Sequence, residues 1–173
     1  MTRPCRQAVP WIAMLFLAPA VQGASRDGWD VVRQPARKFT VKDVAGNVLR
    51  SDQLAGKIVV VDFWATWCAP CLEELPDLAA YQERIKGRHD VAFLSMDVTD
   101  ERSTLLAFVK KNKIAFPVYL GDSLLGPYEI LSFPTKLIID MRADKGVGRF
   151  RREGLTEVAS LEARVEELLG GKD

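Results

Sequence analysis

The stretch Lys57-Ile58-Val59-Val60-Val61-Asp62-Phe63-Trp64-Ala65-Thr66-Trp67-Cys68-Ala69-Pro70-Cys71 decides how this chain is read. Its first half is a continuous β-branched run, the pattern of a strand covered on both faces. A helix is predicted from about Cys68 to Ile85, with Leu75, Leu78, Ala79, Gln82 and Ile85 on one face. The two cysteines therefore stand at a helix N-terminus, where unpaired N–H groups and the helix dipole favour a thiolate. Their spacing lets the sulfurs meet within one turn. Pro70 has no N–H and a fixed φ, so it fits the first turn and stiffens it. Cys68 is expected to be the exposed nucleophile and Cys71 the covered resolving thiol.

Two blander readings of the pair are weaker. A zinc site needs about four ligands, and with Cys5 set apart near the N-terminus the chain offers only Cys68, Cys71 and one histidine, His89, which reads as a solvated loop residue. No metal site is expected. A structural disulfide closing so short a loop would constrain the unfolded chain little. A peroxidatic cysteine of the peroxiredoxin type belongs to a different local pattern. Thiol exchange is the chemistry this spacing favours.

Upstream, residues 1–23 read as an export signal. Arg3 and Arg6 form a positive start, Ala8 to Val21 is apolar, and small residues cluster at Ala18, Ala20, Gly23 and Ala24. The apolar run is shorter than the ~18 residues a spanning helix wants; an uncleaved N-terminal anchor is the alternative, and only then does the membrane become a partner. Residues 24–36 are a polar leader segment or an added strand, with Trp29 packing somewhere. Cys5 lies inside the signal, so the exported part keeps only Cys68 and Cys71.

The whole chain has 173 residues, 24 Lys and Arg against 23 Asp and Glu, and a net charge of +1. Setting aside Arg3 and Arg6 leaves 22 basic residues against the same 23 acidic ones. No field of this size steers nucleic acid, which is excluded as a partner. The length suits one domain, and a monomer is expected.

Downstream, Phe39-Thr40-Val41, the turn residues Ala45-Gly46-Asn47 and Val48-Leu49 predict a hairpin. Val91 to Val98 is a second buried strand, followed by a helix carrying Leu105, Leu106, Phe108 and Val109 that Thr99 or Asp100 could cap. Phe116 to Leu120 is a short strand, Leu124 to Leu131 a short helical segment, Lys136 to Asp140 a third buried strand, and Gly148 to Arg152 a polar strand near an edge. Arg149, Arg151 and Arg152 read as a solvated strand face. Thr156 opens a last helix with Val158, Leu161, Val165, Leu168 and Leu169 at helical spacing, ended by Gly170-Gly171. This order predicts an α/β sandwich with a mixed central sheet.

Val61 to Cys71 resembles the active-site segment of thioredoxin-fold proteins. Gly56-Lys57, Trp64-Ala65-Thr66-Trp67 and Glu73-Glu74-Leu75-Pro76 are similar to the exported reductases typified by TlpA and ResA. The resemblance implies a thioredoxin-like three-layer fold over residues 37–170: a mixed central sheet flanked by helices, with an N-terminal hairpin and a strand-helix insertion around residues 91–120. It implies that Pro134, in Phe133-Pro134-Thr135, is cis and presents backbone to a substrate peptide, which would pair there as an added strand. Substrate contact is then expected at Trp67, Ala69, Pro70, Phe133 and Thr135. Asp62 matches the buried carboxylate that accepts the proton of the resolving thiol, a task suited to a carboxyl whose burial raises its pKa. Many relatives have asparagine there. Glu74 matches a glutamate near the ResA-type site, the alternative being a solvated helix-face residue.

The implied function is a periplasmic thiol:disulfide oxidoreductase that reduces envelope proteins, as in cytochrome c maturation. It needs no cofactor beyond the Cys68–Cys71 couple and is recharged by a membrane thiol donor of the DsbD type. A copper(I) or apo-protein chaperone using the reduced pair is the rival reading.

Overall fold

The computed structural model describes residues 27–98, 100–143 and 146–171, so the expected export signal at 1–23 lies outside the described residues. Along the chain run β1 (Asp30–Val31), β2 (Thr40–Lys42), β3 (Val48–Arg50), β4 (Ile58–Trp64), α1 (Ala69–Ile85), β5 (Val91–Asp97), α2 (Arg102–Lys111), β6 (Val118–Leu120), β7 (Thr135–Asp140), β8 (Val147–Glu153) and α3 (Val158–Gly170). The main sheet has the order β1-β8-β7-β4-β5-β6, and β2-β3 forms a separate hairpin. β4, β5 and β6 are parallel neighbours, while β7 and β8 continue the sheet antiparallel. This is the expected mixed sheet of an α/β thioredoxin-like fold.

The β-branched run becomes the centre of the molecule because all seven residues of β4 are buried. Alternation splits them between two apolar layers. Ile58, Val60 and Trp64 join Leu78 and Tyr81 of α1, Leu105 of α2 and Leu161 and Val165 of α3. Val59, Val61 and Phe63 face the other way, against Leu94, Met96, Leu137 and Ile139. The hairpin residue Val41 covers that second layer, together with Leu54 and Leu124 from single 3-10 turns and Tyr128 and Ile130 beyond them. All three helices thus put their buried residues into the first layer. Among the described residues no helix is long and apolar enough to cross a membrane.

Several expectations change in detail. The part of the leader that is described belongs to the sheet: Asp30 and Val31 pair with Arg151 and Phe150 of β8, and Trp29 is fully buried, its indole N–H donating to Ser160 Oγ at 2.8 Å. β8 is therefore one strand in from the edge. Arg151 and Arg152 fasten it instead of forming a solvated face, because Arg151 donates to Tyr128 O, and Arg152 to Asp27 O and Leu155 O. The hairpin forms with Val41 opposite Leu49, and Gly46 supplies the positive φ of its turn. Asp100 does not cap α2, whose N-cap is Glu101 without a side-chain bond. Residues 122–130 make a 3-10 turn and further turns in place of the helical segment, and α3 begins at Val158, after Thr156.

Candidate active site

Register brings three loops to one end of the sheet. Phe63 near the end of β4 lies opposite Thr135 at the start of β7, and Thr135 lies opposite Glu153 at the end of β8. The segments 65–68, 132–134 and 154–156 therefore leave the sheet side by side. The first carries Cys68, the second the proline, and the third donates the Thr156 N–H to the Glu74 carboxylate.

Cys68 is the N-cap of α1, Ala69 is its first residue, and Pro70 stands in its first turn. The sulfurs of Cys68 and Cys71 are bonded, with Cα atoms 5.2 Å apart. Cys71 N–H donates to Cys68 Sγ at 3.3 Å, so one of the free donors of the helix start already meets the first sulfur, while Leu72 N–H closes the first helical bond to Cys68 O at 3.1 Å. Cys68 is 5% exposed and Cys71 2%. The expectation of an exposed Cys68 is corrected for this oxidised state: the Sγ–Sγ bond turns Cys68 into the turn, and both sulfurs join the apolar layer under α1. The exposed side chain is its neighbour Trp67, at 64%. Asp100 holds the preceding loop, its carboxylate accepting Thr66 N–H at 2.9 Å. Burial pushes the Asp100 carboxyl up, but its hydrogen bonds to Thr66 and Asp97 outweigh that and leave it below the ordinary value.

The Phe133–Pro134 peptide bond is cis. The ring of Phe133 meets that of Trp67 edge-on, centroids 6.0 Å apart, which sets this loop alongside the cysteine turn. Pro134 O accepts Gly154 N–H at 2.8 Å, and the buried Thr135 donates its Oγ1–H to Ser132 O at 2.8 Å. Thr135 thus braces the loop from within. Leu131 stands exposed just before it in the chain.

On the α1 side of the sheet lies a charged cluster of three residues, two of which were named from the sequence. Asp62 shares the α1-facing side of β4 with Val60 and Trp64 and is buried. Glu74 is buried too, one turn after Cys71, so the solvated-face alternative for it is corrected. Between them sits Lys136 of β7, 0% exposed and directly opposite Asp62 in the strand pairing. Its Nζ donates to Glu74 Oε2 and lies 2.9 Å from Asp62 Oδ1. The other oxygen of Glu74 accepts the Thr156 N–H. Asp62 Oδ1, although close to the ammonium, has no aligned hydrogen-bond donor. Burial pushes the Glu74 carboxyl above its ordinary value, against the opposing pull of Lys136.

Lys136 is the residue that sequence reasoning missed. It opened the third buried strand, and its side chain was given no role. Period-2 alternation from Ile138, which faces the α1 side, would have placed it inward. Its opposition to Asp62 needs the strand register. Among the described residues no group of three or more His, Cys, Asp or Glu side chains is placed to hold a metal ion.

Residues 32–142 match the AhpC/TSA family. A thiol-disulfide oxidoreductase ResA of Bacillus cereus is 31% identical over 111 residues, covering 63% of this chain and 64% of that protein. The chain thus spans less than two thirds of the length of that relative. A thiol:disulfide interchange protein of the thioredoxin family from Chlorobium tepidum TLS superposes with a TM-score of 0.68 and 27% identity, over 79% of this chain and 97% of the other. The exposed lipoprotein thioredoxin Etrx1 of Streptococcus pneumoniae shares the fold at a TM-score of 0.68 and 24% identity, over 76% of this chain and 99% of its own.

Proposed function

The chain belongs to the AhpC/TSA family, and on that premise we propose that it is a thiol:disulfide oxidoreductase of the ResA type. The observation that carries this reading is the Cys68–Cys71 bond at the N-terminus of α1, beside an exposed Trp67 and a cis proline. A vicinal pair in this setting, in place of a lone cysteine, supports disulfide exchange over peroxide reduction. The named activity of the Bacillus cereus relative points the same way.

The geometry supports the following working cycle. In the reduced protein the Cys68 thiolate faces the Cys71 N–H and the positive end of α1. It attacks one sulfur of a substrate disulfide, forming a mixed disulfide and releasing the first substrate thiol. Cys71 loses its proton to the carboxylates below and attacks Cys68 Sγ. The intramolecular disulfide forms, the second substrate thiol leaves and takes up a proton, and the substrate is reduced by two electrons. Trp67, Phe133 and Leu131 supply the apolar contact for the incoming chain, with Ala69 and Pro70 forming the rim beside the sulfurs.

The setting we propose is the periplasm, reached through the export signal of residues 1–23. There the domain reduces disulfides of envelope proteins, such as an apocytochrome awaiting haem, and a membrane thiol donor of the DsbD type returns it to the reduced state. Cys71→Ser leaves the attacking thiol and removes the resolving one. This variant is expected to accumulate mixed disulfides with a small set of envelope proteins, seen as thiol-reversible bands on non-reducing gels. Absence of such adducts, together with no reduction of insulin by the wild type, would sink the reading. Copper(I) titration of the reduced protein checks the chaperone alternative, which sub-micromolar binding would revive.

A further inference from the structure

We propose that Lys136 is a positioning residue of the exchange reaction: by bridging Asp62 and Glu74 it holds the buried cluster at a single negative charge, ready to take the one proton that Cys71 must lose. The inference deepens the thiol-exchange reading and rests on it. Three observations converge. A lysine with no exposed surface is expensive to bury unless paired, and here its ammonium meets two carboxylates. Both carboxylates lie on the side of the sheet that packs against α1, in the layer that holds Cys71. One buried oxygen, Asp62 Oδ1, lies 2.9 Å from that ammonium without an aligned hydrogen bond, so its lone pairs are not fully engaged.

Counting charge shows why the lysine matters. Two ionised carboxylates alone carry −2, and mutual repulsion in a buried site makes them retain a proton. That proton blocks the uptake of another. With the ammonium between them the pair is −1 and can act as the base: Cys71–SH and the carboxylate become Cys71–S⁻ and a carboxylic acid. The thiolate then attacks Cys68 Sγ, and the departing thiolate is reprotonated. The other neighbours do not alter this count. Ser95, opposite Asp62 on β5, is neutral. Arg152, opposite Lys136 on β8, turns its guanidinium to the carbonyls of Asp27 and Leu155. Thr156 offers a backbone N–H. Glu162 and Glu166 of α3 pair with Arg84 and Arg88, and burial keeps Tyr81 of α1 protonated.

The test uses the full chain with Cys5→Ser, so that Cys68 and Cys71 are the only thiols, reacting in the reduced state with 5,5′-dithiobis(2-nitrobenzoate). Attack by Cys68 releases the first coloured thiol; resolution by Cys71 releases the second, and the pH midpoint of that second phase is the readout. Lys136→Met, which leaves −2, should move the midpoint up by about one pH unit or more. Glu74→Gln, which leaves one cation with one carboxylate, should move it down. The charge-matched double variant Glu74→Gln/Lys136→Met should return it to the wild-type position. If Lys136→Met does not fold, the downward shift of Glu74→Gln and its reversal in the double variant still decide. Rates that fall equally at every pH, or a double variant that does not return, overturn the assignment of Lys136 while leaving thiol exchange intact. A wild type that never releases the second thiol removes both readings.

Discussion

Lys136 shows how a single strand register creates chemistry that no local pattern announces. Its partner across the ladder is Asp62, and Glu74 reaches it from α1. Opposite charges directly across an antiparallel pair attract, and complete burial strengthens that attraction while penalising any member left unpaired. The titration of Glu74 has a definite sign. Burial raises its folded value above the ordinary 4.5, so the folded state binds this proton more tightly than the unfolded chain. The stability it contributes is full below about 4.5 and is lost as pH rises through the folded value. Glu74→Gln lacks that loss. Its urea midpoint, compared with wild type from pH 4 to pH 8, is expected to shift in the variant's favour as pH rises; a constant offset would contradict the raised value. Cys68 and Cys71 were readable because type and spacing announce them, and Asp62 through the resemblance of its segment. Glu74 was half-read, since a glutamate on a helix defaults to solvent.

At the scale of elements, what could be read followed the strength of each periodicity. β4 is unmistakable, because every residue in it except Asp62 is apolar. α1 was found, but its inward stripe is Cys71, Glu74, Leu78, Tyr81 and Ile85, rotated from the expected line through Leu75 and Gln82. The glutamate at 74 and the phenol at 81 disguised that face. α1 also carries Pro76 within it, which leaves the carbonyl four residues earlier without its helical partner. β1 is two residues long, too short for any alternation to show. Its worth comes from Trp29, buried in the layer formed by Phe150, Leu161 and Val165 and tied to Ser160. Trp29→Ala should cost about 3–5 kcal/mol in chemical denaturation, the range for emptying a large aromatic site. A cost near zero would mean that the segment is an appendage, the leader alternative to an added strand.

Across the whole molecule, the site depends on segments distant in sequence converging at one end of the sheet. The cysteine turn, the proline loop and the approach to α3 meet because Phe63, Thr135 and Glu153 share a row. That convergence follows from topology, which is why motif spacing showed the cysteines and the proline but not what lies between them. The same arrangement distributes the aromatic residues unevenly. Trp29 and Trp64 are sealed inside, Trp64 with its N–H on Ser95 Oγ at 2.7 Å, whereas Trp67 faces solvent next to the sulfur bridge. A disulfide is an efficient quencher of a nearby excited indole, and a solvent-exposed indole emits at longer wavelength than a buried one. The domain should therefore carry its own optical gauge. Opening the Cys68–Cys71 bond is expected to brighten the red side of the emission band, with Trp67→Phe abolishing that change, so the oxidation state could be followed in solution without any label.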